Sequence, residues 1–195
     1  MLQRLLFGLA LIACVGLTGC ANSPQQLDPI PKLNDPITAV GQGQPVIVRV
    51  VDGRPSSTLG TRGGIYPDTS LVIVPSDKLL PKLQAQVETA VRLLGFTPSP
   101  NAANAPQLTV TLAELKYQSP NDDIYVTDAV INATFRLDVQ NATRRYTGRY
   151  SASLNRRFGM TPSEQTNNEL VGSVLSDALT RVFKDQNIAP LLVQQ

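Results

Sequence analysis

Ala129-Val130-Ile131-Asn132-Ala133-Thr134-Phe135-Arg136-Leu137-Asp138-Val139 is the stretch on which the fold turns. Ala129, Ile131, Ala133, Phe135, Leu137 and Val139 recur every second residue, which places them on one face of a β-strand and their neighbours on the other. Beyond a turn at Asn141-Ala142, the residues Tyr146, Gly148, Tyr150, Ala152 and Leu154 repeat the same alternation. Two alternating runs around a short polar turn predict an antiparallel hairpin. One face of that hairpin is apolar, so another layer must cover it.

Upstream, Leu108, Val110 and Leu112 alternate, and the phase then jumps so that Leu115 and Tyr117 continue it. An extra residue at Leu112-Ala113 accounts for the jump, since a β-bulge inserts one residue into one strand of a pair. Further back, Val46-Ile47-Val48-Arg49-Val50-Val51-Asp52 is β-branched and nearly continuous, as suits a strand covered on both faces. Gly53, Gly60, Gly63 and Gly64 punctuate the loop that follows, and Ser70 to Val74 reads as a short strand ended by Pro75.

Two helices supply the second layer. Leu80, Leu83, Val87, Val91 and Leu94 form one apolar stripe, with Ser76 as cap, Pro81 near the start and Gly95 at the end. Thr161-Pro162-Ser163-Glu164 has the form of a capping box opened by Thr161. Leu170, Val171, Val174, Leu175, Ala178, Val182 and Phe183 then form a second stripe. The expected fold is a two-layer α+β sandwich over residues 46–195, a mostly antiparallel sheet with both helices on one face, in the order β-β-α-β-β-β-α.

The N-terminus reads as a leader. Arg4 precedes an uncharged apolar run, Leu5 to Val15, too short to span a hydrocarbon core of ~30 Å. Leu17-Thr18-Gly19-Cys20 resembles the bacterial lipobox, in which small residues admit a peptidase and the thiol carries a diacylglycerol. Residues 1–19 are therefore expected to be a lipoprotein signal peptide and Cys20 the lipidation site; an ordinary secretory signal containing a cysteine is the alternative. With Ala21-Asn22 after the cysteine and no Asp, the expected address is the outer membrane on its periplasmic side, ahead of the inner membrane. Residues 20–45 contain Pro24, Pro29, Pro31, Pro36 and Pro45, as an extended tether would, with a reach on the order of 70 Å. Docking of Leu27, Ile30 and Leu33 along the domain is the other reading.

Composition narrows the chemistry. Lys and Arg number 17 against 15 Asp and Glu, too even a balance for a nucleic-acid partner. The chain has no His, and both cysteines lie within the first twenty residues. The domain thus lacks the side chains for a zinc site, a thiol nucleophile or a Ser-His-Asp triad. No enzyme activity, cofactor or metal is expected.

Three clusters remain. Asp52, Arg54 and Arg62 surround the Gly-rich loop, where two arginines would hold a carboxylate or phosphate oriented by Asp52, or would pair with Asp52 within the fold. Asp122, Asp123 and Asp128, with Glu114, are an acidic group that lacks the spacing of a calcium loop. Arg145 and Arg149 fall on the outward phase of the hairpin, where they would meet an anionic headgroup or polymer, or keep a bare sheet face soluble.

In the order and spacing of Val50-Val51-Asp52-Gly53-Arg54, Leu59-Gly60, Pro75-Ser76, Gly95-Phe96 and Gln140-Asn141, the chain resembles the YajG family of bacterial lipoproteins. The resemblance implies a membrane-anchored periplasmic domain and no reaction. The expected function is a non-enzymatic interaction or assembly module for an envelope protein or polymer; a small-ligand or lipid carrier is the alternative.

Overall fold

The structure is a computed structural model, and it describes residues 23–63, 67–120 and 127–193. The lipobox with Cys20, and Asp122 and Asp123, lie outside the described residues. Eight strands form one mixed sheet: β1 (Gln25–Gln26), β2 (Pro45–Asp52), β3 (Thr58–Thr61), β4 (Leu71–Ile73), β5 (Thr97–Pro98), β6 (Gln107–Gln118), β7 (Thr127–Gln140) and β8 (Arg145–Phe158). The helices are α1 (Ser76–Leu93), α2 (Glu164–Phe183) and the short α3 (Ile188–Val193). The class is α+β, as the pattern of alternation predicts.

β6, β7 and β8 form the expected antiparallel core, in register from Gln107↔Gln140 and from Gln140↔Arg145. The β6–β7 register slips between Leu112 and Glu114, which is the bulge that the jump in phase requires. β2 and β6 are parallel, Ile47↔Gln107 through Asp52↔Leu112, so the sheet is mixed rather than purely antiparallel. β7 and β8 are joined across Asn141–Arg144 by Asn141 itself. Its Oδ1 accepts from the amides of Thr143 (3.1 Å) and Arg144 (2.8 Å), and its Nδ2 donates to the Leu191 carbonyl of α3 (3.1 Å). A side-chain-built turn does not need the glycine of a two-residue hairpin.

The apolar phase packs against the helices through Ile131, Ala133, Phe135, Leu137 and Val139 from β7, Leu83, Val87 and Val91 from α1, and Val171, Leu175, Ala178 and Val182 from α2. Three local expectations shift. α1 begins after Pro75 without a side-chain cap, because the Ser76 hydroxyl donates to Asp52 instead. The stripe on α1 is led by the buried Leu79 rather than Leu80. α2 is capped by Ser163, whose Oγ accepts from the Thr166 amide at 3.1 Å, not by Thr161. Gly95 does close α1, at φ +90°, and a Cβ there would lie 2.5 Å from the Gly41 carbonyl oxygen.

The larger revision concerns residues 23–44. They do not hang free as a tether but run along α2, with Leu27 buried and Leu33 and Ile37 partly so, while Ile30 stays 61% exposed. Prolines lack amide donors and an extended chain makes no internal hydrogen bonds, so the remaining amides need outside acceptors. One row of α2, spaced four residues apart, supplies them. The Asp28 amide donates to Asn168 Oδ1 (2.6 Å), that of Lys32 to Ser176 Oγ (2.8 Å) and that of Asn34 to Thr180 Oγ1 (3.1 Å). Gly172 completes the row: a Cβ there would come 3.3 Å from the Ile30 carbonyl oxygen, so its absence lets the arm lie close. The domain thus begins before Val46.

Candidate interaction surface

The cluster at the end of β2 is built inward. Asp52 lies on the covered phase of β2, and the chain turns back at Gly53 so that Arg54 Nε donates to Asp52 Oδ1 (2.8 Å) and Nη2 to Oδ2 (2.6 Å). Nη2 also reaches the Val74 carbonyl at 3.1 Å, and the side chains of Arg54 and Asp52 are only 2% and 9% exposed. Burial alone would raise the Asp52 pKa, but hydrogen bonds from Arg54 and Ser76 outweigh it and hold the carboxyl below its ordinary value. Arg62 turns to the N-terminal arm, Nη2 donating to the Ser23 carbonyl at 2.5 Å. Burial lowers its pKa, while Tyr117 and Glu164 act against that. Both arginines are engaged by the fold, Arg54 locking the β2–α1 corner and Arg62 the arm. Of the two readings of this cluster, Arg54 takes the pairing with Asp52 within the fold, and Arg62 bonds the arm instead.

The uncovered face of the sheet is different. Register places Arg49, Thr109, Asp138 and Thr147 in one row across four strands, and Val51, Thr111, Arg136 and Arg149 in the next. Glu114, Thr134 and Ser151 follow, with Thr134 and Ser151 hydroxyls 2.9 Å apart. Arg145 makes a forked pair with Asp138, its Nε 3.0 and 3.1 Å from the carboxylate oxygens, and this pairing raises the already high pKa of the guanidinium. Lys116 lies 2.8 Å from Glu114, and Arg157 2.9 Å from Asp128.

Arg136 and Arg149 are direct cross-strand partners on this face. Like charges so placed repel, and only Arg149 has a carboxylate near it, at the outer limit of an ion pair. Arg149 comes no nearer than 3.9 Å to Glu114, which Lys116 already holds, and among the described residues Arg136 and Arg49 have no ion pair. Among the described residues, six cations (Arg49, Lys116, Arg136, Arg145, Arg149 and Arg157) share the face with three carboxylates, Glu114, Asp128 and Asp138. Rich in hydroxyls and positive in excess, it is suited to carboxylate or phosphate groups spaced along a partner.

Arg145 and Arg149 are where the alternation of the hairpin puts them. Arg136 follows from the same parity on the partner strand, outside the cluster that the sequence singles out. Arg49 is masked by the near-continuous apolar run around it: β2 reads as doubly covered, yet its outer phase is open, with Val51 43% exposed. Among the described residues, no group of three His, Cys, Asp or Glu side chains is placed to hold a metal ion, and no helix is long and apolar enough to cross a membrane.

Solved structures with some likeness to the chain include protein XCC0632 from Xanthomonas campestris (13% identity, TM-score 0.42, 86% of this chain and 93% of that one). A minor lipoprotein from Acinetobacter baumannii is 10% identical, with TM-score 0.38 and coverage of 76% and 90%. The PelC dodecamer from Paraburkholderia phytofirmans is 13% identical, with TM-score 0.31 and coverage of 74% and 91%. At such scores these likenesses carry no argument about function or assembly. No curated protein sequence matches the chain. The sequence pattern of the family Lipoprotein_16, described as uncharacterized lipoproteins, matches residues 31–192, and the chain belongs to that family.

Proposed function

We propose that this lipoprotein, acylated at Cys20 and held on the periplasmic side of the outer membrane, is a non-enzymatic interaction module of the YajG kind. Its bare sheet face binds an envelope protein or polymer that carries spaced anionic groups. The observation that carries the reading is the facing pair Arg136 and Arg149, a like-charge arrangement that a partner bringing negative charge would relieve. Asp52, Arg54 and Arg62 take a supporting part, fixing the corner and the arm that hold the sheet.

A photo-crosslinking residue at 136 or 149 in living cells should trap one discrete product, and the same residue at Asn104, off this face, should not. Blank lanes at 136, 149, 49 and 145 would remove the sheet face from the proposal. The anchor and address have their own tests. Cys20→Ser should release the protein from the membrane fraction, and Ala21→Asp should move it to the inner membrane.

A further inference from the structure

The docked arm changes what the lipid anchor does. A free tether over residues 20–45 would let the domain range widely from the bilayer. In the structure the chain is already captured at Ser23, whose carbonyl accepts from Arg62 Nη2 at 2.5 Å. Two residues on, Gln25 pairs with Val72 in the sheet, its Nε2 donates to the Pro162 carbonyl (3.3 Å), and its Oε1 accepts from Asn167 Nδ2 (2.7 Å). Between Cys20 and Ser23 stand only Ala21 and Asn22, three steps that span about 10 Å at full extension.

We infer that the end of the sheet at which Ser23 is held rests directly on the lipid surface, an inference that depends on acylation of Cys20. Other features of that end agree. The C-terminal end of β8 and the start of α2 lie there, since Pro162 joins Gln25. Between them Met160 is 83% exposed, the most exposed large apolar side chain among the described residues. Arg156, exposed near the end of β8, has no ion pair among the described residues. A bare thioether side chain and, four residues before it, an exposed guanidinium are well placed at a headgroup boundary, where the first enters the acyl region and the second meets phosphate. The β7–β8 turn at Ala142 marks the other end, about 45 Å away along fourteen residues of β8. The basic sheet face therefore stands upright from the membrane, and the partner meets it from the side.

The test uses the full-length acylated protein in vesicles of phosphatidylethanolamine and phosphatidylglycerol. Once Cys20 carries its thioether, the mature chain has no other cysteine, so Met160→Cys and Ala142→Cys each give a single reporter for a fluorescent label. Spin-labelled headgroups should quench the label at 160 severalfold more than the label at 142. Twelve Gly and Ser residues inserted between Asn22 and Ser23 should bring the two nearer, with sedimentation on the vesicles unchanged. Equal quenching at the two positions without the insert overturns the inference while leaving acylation intact. A protein that does not sediment with vesicles overturns acylation and the inference together.

Discussion

Arg54 closes a forked ion pair on Asp52, two residues before it, and the Ser76 hydroxyl at the start of α1 donates into the same carboxylate. The pair joins the end of β2 to the first turn of α1 and is sealed from water. Removing one partner leaves the other charged and buried. Asp52→Asn should therefore cost on the order of 3–5 kcal/mol, and the double variant Asp52→Asn/Arg54→Met should recover much of it. Urea midpoints of the four proteins in the cycle check this; a near-zero coupling would show that the pair is ornamental.

Asp185 accepts from Tyr146 (2.6 Å) and from Tyr150, tying the end of α2 to β8. Burial would raise the Asp185 pKa, but the tyrosine and Asn187 bonds lower it further than burial lifts it. A depressed folded pKa means that the unfolded chain binds more protons near the ordinary carboxylate value, so this stabilisation is complete above about pH 4 and fades as pH falls through the folded value. Thermal melts from pH 7 to 3 should show an acid limb that flattens in Asp185→Asn.

Tyr117 is 1% exposed and donates to Asn167 Oδ1 at 3.1 Å. Burial pushes its pKa up to about 12, against the opposing influence of Arg62 and Asn167. The folded state then keeps a proton that the unfolded chain loses near pH 10. Stability should fall between about pH 10 and 12, by roughly 2–3 kcal/mol over the window. Absorbance of ionised tyrosine against pH, compared with Tyr117→Phe, measures it, and the variant should lose that part of the alkaline slope.

Leu27 makes the arm part of the core. Leu27→Ala should cost about 2–5 kcal/mol, as for any fully buried leucine, whereas Ile30→Ala, one turn of the arm away and facing water, should stay within about 0.5 kcal/mol. Equal effects at the two positions would return the arm to the status of a tether.

Arg136→Thr separates fold from function. It relieves the repulsion with Arg149 and should leave stability unchanged or raise it by up to about 1 kcal/mol. Partner capture in cells should nonetheless fall. A variant that loses stability and keeps its crosslink would mean the arginines serve the fold.

Alternation made the central three strands legible, bulge included, because a buried face imposes its period on every residue that touches it. The apolar stripes of both helices were legible for the same reason, and Arg145 and Arg149 came with the outward phase. What stayed hidden depends on partners far along the chain. The acceptors Asn168, Ser176 and Thr180 look like ordinary polar positions of a helix until an extended arm lies beside them. Ser76 suits a helix cap by local rules, and only the buried Asp52 beside it shows why its hydroxyl turns elsewhere. β2 reads as doubly covered because Ile47 and Val51 are apolar, yet among the described residues no second layer lies on their side of the sheet.

The hydrogen bonds that lay residues 28–34 along α2 link positions 140 to 146 apart, so this part of the arm finds its acceptors only once nearly the whole domain is present. Until α2 forms, the amides of Asp28, Lys32 and Asn34 lack those acceptors. Closing that long loop is the most non-local step of the fold, and the entropy it costs makes it a late one.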